Sequence, residues 1–174
     1  MKEIRSKSIS LRLVEEEDAS FILSLRLDEK YNSFLSKVGS DLESQKLWIK
    51  EYKSHEANKE QYYFIIERAD GKHCGTVRLY DFKNDSFSWG SWILNEDKTR
   101  YAAVESAFLV YQYGFNILGF GRSHFEVMKG NDRVVAFHEK MGAIRVGEDD
   151  INFYFEINRD QVATARLKFN GKLL

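Results

Sequence analysis

Apolar and polar positions alternate over residues 8–14, the period of a half-buried strand. The spacing then lengthens to that of a helix over 15–27, which opens on acidic residues and turns Ile22 and Leu23 inward. Residues 28–39 show no clear period. Ser40, Asp41, Leu42 and Glu43 have the form of a capping box, in which the serine and the glutamate each satisfy a free N–H, and a helix is expected from there to about Asn58. Strands follow at 61–68 and 74–82, flanking Ala69-Asp70-Gly71-Lys72, whose Asp-Gly pair favours a tight hairpin. Ser86–Leu94 comes after a turn at Lys83-Asn84-Asp85 and completes an antiparallel meander. Val104, Ala107, Phe108, Tyr111, Phe115 and Leu118 then recur at three- and four-residue spacing, a strong amphipathic helix with Glu105, Gln112 and Asn116 on its other side. Residues 124–128 read as a short strand, 132–141 as a helix closed by Gly142, and 144–157 as a closing hairpin; the tail from Asn158 has no decided state.

Composition narrows the class. A chain of 174 residues is long enough for one domain, burying roughly 70% of the surface its unfolded form exposes. The hydrophobic share of 43%, with 14% aromatic, is globular, and 26 basic against 27 acidic residues argue against a polyanion-binding surface, so nucleic acid is not an expected partner. Cys74 is the only cysteine, which excludes an internal disulfide and makes the cytoplasm the expected compartment. The N-terminal stretch is charged throughout, and no apolar run reaches the ~18 residues of a membrane helix. Proline is absent, which argues weakly against several domains joined by linkers.

The chemistry concentrates in residues 91–146, where a strand, a loop-to-helix turn, a helix, a strand and a short helix succeed one another. A helix N-terminus offers unpaired N–H groups and a favourable dipole to an anion, so this order makes a site for a pyrophosphate-bearing cofactor. SWILN, TRYAAVESAFLVYQYGFNILGF, RSHFEVMKGN and NDRVVAFHEKMGA together resemble the acetyl-CoA-binding half of the GNAT N-acetyltransferases, and the resemblance runs from Ser8 to about Arg159. It implies a single α+β domain. The fold would have a central, mostly antiparallel twisted sheet flanked by helices and splayed between its fourth and fifth strands, here Ser86–Leu94 and 121–128. In such a fold acetyl-CoA lies in the splay, its pantetheine arm paired with the backbone of Ile93, Leu94 and Asn95. Its pyrophosphate lies on Thr99, Arg100, Tyr101, Ala102, Ala103 and Val104, with Asn131 and Phe137 as further contacts and 28–39 beside the acceptor pocket. The family's pyrophosphate pattern is Arg or Gln, two residues, Gly, one residue, then Gly or Ala. Here Asp97 and Arg100 occupy its first and central positions and only Ala102 fits. Arg100 either holds phosphate oxygens through its guanidinium or is a solvated turn residue. Asn131 is a ligand, a helix cap, or both.

His138 stands where the family often has a tyrosine that protonates the departing thiolate; an ordinary imidazole pKa suits that task, and packing in the core is the other reading. The position of the family's glutamate base falls on Ser88, which cannot serve. Alternation puts His124, Glu126 and Met128 on one strand face, so Glu126 is the candidate base, with surface solvation as the alternative and with Asp81 and Glu105 as weaker candidates. Trp48, Tyr52, Tyr80, Phe82, Trp89 and Trp92 lie on elements bordering the acceptor side, where core packing is the commoner use of such rings. No metal-ligating set is assigned, and a homodimer is allowed for. The resemblance implies an N-acetyltransferase in which a primary amine attacks acetyl-CoA directly in a ternary complex, the acceptor being a small molecule such as an amino-sugar nucleotide. The alternatives are an N-terminal acetyltransferase of the ribosomal-protein type and a non-catalytic acyl-CoA-binding module.

Overall fold

The computed structural model describes residues 3–173, with side chains through residue 170; Met1 and Lys2 of the charged N-terminus and Leu174 of the tail lie outside the described residues. The strands are β1 (Ile4–Arg5), β2 (Ile9–Leu13), β3 (Tyr62–Arg68), β4 (His73–Lys83), β5 (Ser86–Leu94), β6 (Arg122–Met128), β7 (Ile144–Glu148) and β8 (Asn152–Asn158). They form one sheet in the order β1-β2-β3-β4-β5-β6-β8-β7. The expected meander is there, and β7–β8 is the expected closing hairpin. The sheet contains one parallel neighbour pair, β5 with β6, and it is registered at two positions, Ser86 with Arg122 and Phe87 with Ser123. The Ser123 hydroxyl donates to the Phe87 carbonyl at 2.7 Å, fastening that last rung. From there β6 follows β8 along its whole length instead.

Helices cover both faces, which is why YYFIIER of β3 reads as an almost continuous apolar run rather than an alternation. On one face a 3₁₀ turn (Glu16–Asp18), α1 (Ala19–Leu27) and α2 (Leu42–Ala57) bury Ile22, Ile49 and Tyr52 against Tyr63 and Ile65. On the other lie α3 (Ala102–Tyr111), which runs on into a π-helical turn (Gln112–Ile117), α4 (Asp132–Lys140) and α5 (Arg159–Leu173). Phe64, Phe87, Trp89, Phe108, Tyr111 and Phe155 form the middle of the core beneath them.

Two local expectations are corrected and one open stretch is decided. The cap of α2 is Asp41, whose carboxylate accepts from the Glu43 N–H at 3.1 Å and from the Ser44 hydroxyl at 3.0 Å; Ser40 does not form the capping box. The carboxylate wins because it takes both donors at once. The undecided tail is a helix, and Val162, Ala165 and Phe169 pack its inner face into the core. Glu105 does not lie on a solvated helix face: it is 2% exposed, because the N-terminal end of β2 supplies it with donors.

Candidate active site

Two irregularities coincide on β5. Thr76 pairs with Ile93 but Arg78 pairs with Gly90, so Ser91 and Trp92 both stand opposite Val77 and form a bulge. Ser91 takes φ +47°, a left-handed conformation uncommon for a residue with a side chain, and the Thr76 hydroxyl holds it by donating to the Ser91 carbonyl at 3.0 Å. The bulge lies in the part of β5 whose pairing with β6 has already ended. The β6-facing side of that part therefore presents main-chain groups with no strand partner, the arrangement an extended amide-bearing ligand can complete. Ile93, Leu94 and the following Asn95 stand just past the bulge. The signal in the sequence was Gly90 inside an otherwise good strand, a mark of bulges that reading 86–94 as a regular strand passed over.

The loop after β5 leads to α3, whose N-cap, Tyr101, makes no side-chain capping bond. The Ala102 N–H donates to the Thr99 carbonyl at 3.2 Å, and the Glu105 N–H to the Tyr101 carbonyl at 2.9 Å. The amides between them, at Ala103 and Val104, are helix-start donors of the kind that receive anions. The loop is anchored from below. Ser8 donates its N–H to one Glu105 oxygen at 2.7 Å and its hydroxyl to the other, and that hydroxyl lies 2.7 Å from the Thr99 hydroxyl. The Thr99 side chain is thus bound to the scaffold. Arg100 is exposed, with its guanidinium 5.2 Å from the Tyr101 ring. Asn131 occupies the N-cap position of α4 without a side-chain capping bond, so its amide is not used as a cap. These residues fit acetyl-CoA: Ile93, Leu94 and Asn95 would take the extended arm, and 99–104 with Asn131 the phosphate-bearing end.

His138 is enclosed. Its ring centroid lies 4.3 Å from that of Phe125, 5.3 Å from Trp89 and 5.7 Å from Phe137, and its Nδ1 is buried without a hydrogen-bond partner. Burial pushes its pKa down to about 3, so the ring is neutral near pH 7 and the ordinary imidazole pKa on which its acid role was reasoned does not hold. Phe137 half-covers the same region, 5.2 Å from Trp92. A buried neutral histidine makes the fold acid-sensitive. The unfolded chain takes up a proton near pH 6.5 and the folded one only near pH 3, so its contribution to stability is complete above the first value and shrinks as pH falls between them. At about pH 5 the loss is about 2 kcal/mol. Urea unfolding at about pH 5 and above pH 7 should show His138→Leu losing less stability on acidification than the parent by about that amount; parallel losses would refute it.

On the opposite sheet face, His124 links three strands. Its Nε2 lies 3.0 Å from an Asp81 oxygen and its Nδ1 2.5 Å from the Ser86 hydroxyl. With Nε2–H donating to Asp81, Nδ1 accepts from Ser86, which fixes the tautomer. Hydrogen bonding to His124 holds the Asp81 carboxyl below the usual carboxylate range. Glu126 is exposed two positions further along the same face. Ser88 is buried, and Tyr52 and Trp89 are core, whereas Trp48 is 40% exposed. Beside the bulge, a cavity of about 370 Å³ opens between the 28–41 segment, α2 and the sheet, reaching from Arg26 and Lys37 to Ser91. The segment without periodicity thus borders this cavity.

A strand that bulges where it leaves its parallel neighbour, followed by a loop whose amides crown a helix, defines a fold class that sequence comparison also identifies. The chain belongs to the Acetyltransferase (GNAT) domain family, whose model matches residues 8–144, and it is an acetyl-CoA-dependent acetyltransferase. It is similar to a solved structure described as apo FdhC, a nucleotide-linked sugar GNAT, at 52% identity over 99% of both chains with a TM-score of 0.91. The fold is shared with a spermidine N-acetyltransferase from Vibrio cholerae solved with CoA and spermine (18% identity, 89% and 98% of the two chains, TM-score 0.76). It is shared too with the ribosomal-protein-S5-alanine acetyltransferase of Vibrio fischeri (13%, 92% and 98%, 0.78). Comparison with curated proteins finds no match. Among the described residues no helix is long and apolar enough to cross a membrane.

Proposed function

We propose that the enzyme acetylates the amine of a nucleotide-linked amino sugar. The observation that carries this reading is the 52% identity with a nucleotide-linked sugar GNAT over 99% of both chains. The cavity beside the bulge supports it, since it gives a small acceptor a route to the strand that would hold the acyl carrier. Acetyl-CoA, when bound, supplies an activated thioester. The amine nitrogen forms a bond to the carbonyl carbon, the carbon–sulfur bond breaks, and CoA leaves as the thiol once it gains a proton. Attack needs a free amine, so an ammonium proton must pass to a base, directly or through water. Glu126 is that base in our reading, being exposed on the face of β6 that also carries His124, which Asp81 of β4 contacts. Main-chain N–H groups near Ile93 and Leu94 would stabilise the developing oxyanion. His138, enclosed and neutral, is no source of an imidazolium proton; its ring packs against Trp89 and Trp92 of β5 and Phe125 of β6.

The test is release of CoA thiol with nucleotide-linked amino sugars, free amino sugars, spermidine and peptides with free N-termini, run on the parent and on Glu126→Gln. Turnover is expected with the nucleotide-linked sugars, and Glu126→Gln should lower kcat by about 10²-fold. Turnover confined to polyamines or peptides would reject the acceptor class, and an unchanged kcat in the variant would remove Glu126 as the base.

A further inference from the structure

The cavity beside the bulge carries more information than its size. Among the residues lining it are Arg26, Lys37 and Arg78, and none of its lining residues is an aspartate or a glutamate. Arg78 stands opposite Gly90, next to the bulge, with its guanidinium 4.5 Å from the Tyr80 ring and 5.7 Å from Trp48. Its Nη1 donates to Gln61 Oε1 at 3.2 Å, and its Nε is buried with no acceptor. Arg26 reaches in from the end of α1, and its Nη2 donates to the carbonyl and hydroxyl of Ser36 at 3.0 and 2.7 Å; its Nε too is buried with no acceptor.

The same chain treats another half-buried arginine differently. Arg12 makes a two-pronged pair with Asp18, both bonds 2.8 Å, and donates its Nε to Glu67. Arg26 and Arg78 form no ion pair among the described residues. Enclosing two like charges without a counter-ion is costly, through lost hydration and through repulsion. Burial, and with it the charge of Arg26, pushes the pKa of Arg78 below the ordinary arginine value. A fold that keeps such a pair at one cavity stands to gain from an anion that enters it.

We propose that this cavity seats the diphosphate of the acceptor, with Arg26 and Arg78 as the residues that grip it. A guanidinium presents parallel N–H donors that match phosphate oxygens, and beyond the bonds to Ser36 and Gln61 both guanidiniums keep donors that no acceptor in the fold takes up. Lys37 adds a third cation from the loop, and the sugar amine is directed toward Ser91 and the bulge. The assignment rests on the acceptor class proposed above and gives it a structural cause: binding energy from the phosphates, remote from the reacting nitrogen, selects the nucleotide-linked sugar over the free one.

The experiment is calorimetric titration of the protein, already saturated with CoA so that the pyrophosphate loop is filled, with UDP and with inorganic pyrophosphate. Arg26→Met and Arg78→Met should each weaken binding by about 10-fold or more, leaving the affinity for CoA unchanged. In steady state they should raise KM for the nucleotide-linked sugar by a similar factor, with the larger effect on KM than on kcat. Arg78→Lys, which keeps charge and loses the fork, should fall between parent and Arg78→Met and serves if the methionine variants do not fold. Absence of UDP and pyrophosphate binding to the parent, or equal affinity in parent and variants, overturns the proposal. The titration reads the cavity even if no nucleotide-linked amine is acetylated, so failure of the acceptor reading and failure of the arginine pair give separate results.

Discussion

Phe87→Ala is expected to lower the unfolding free energy by about 3–5 kcal/mol. The ring is 0% exposed and meets Phe115 and Phe120, each at 5.7 Å between centroids, and Tyr111 at 6.5 Å. It fits because residue 114, in the π-helical turn, is glycine: a Cβ there would come within 2.2 Å of the Phe87 ring. Helix α3, its π turn and the loop before β6 therefore close around one side chain, and removing it leaves a cavity that several independent elements would have to collapse to fill. Phe87 is also the last residue of β5 registered with β6, so the lost ring lies at the point where the strands part. With domain stabilities of about 5–15 kcal/mol, most of the margin would go. Urea denaturation followed by circular dichroism measures it, and a loss below about 1 kcal/mol would show that the ring is not the wedge inferred here.

Gly75→Ala should do its main damage to function. A Cβ at residue 75 would stand 2.1 Å from the Ile93 carbonyl oxygen and 3.0 Å from the end of the Leu94 side chain. The first neighbour is backbone, so relief requires β5 to move away from β4 at the rungs Thr76–Ile93 and Gly75–Leu94. Overpacking of this kind costs about 1–3 kcal/mol, which a domain survives. The displaced segment is nonetheless the one proposed to pair with the acyl carrier, and a shift of about 1 Å there is enough to cost about 10²-fold in rate. The expected result is a folded protein whose kcat/KM for acetyl-CoA falls by about that factor, with KM raised. Parent-like kinetics in a folded variant would show that the Ile93–Leu94 edge does not hold the carrier.

What could be read from the chain had short-range causes. Alternation at 8–14 and three- and four-residue spacing after Val104 report which side of a single element is buried, and both elements appear. The tail has no decided state in the sequence although Val162, Ala165 and Phe169 have helical spacing, because charged neighbours and the exposed Leu167 dilute the pattern. The cap at Asp41 was assigned one residue early because two good capping residues adjoin, and only backbone geometry chooses between them. The burial of Glu105 and the choice between the two readings of His138 lay beyond the sequence for one reason: local spacing names a helix face without naming what covers it.

The sequence by itself determined the family and the order of the elements between residues 8 and 157, because periodicity and turn chemistry act over a few residues and are written in the chain. Tertiary structure alone decided the rest. It placed the bulge at Ser91, buried Glu105 under Ser8, stripped His138 of its charge and brought Arg26 and Arg78 to one cavity without a carboxylate. Each of these depends on desolvation or on a partner far away in the chain, and neither leaves a mark in the spacing of neighbouring residues.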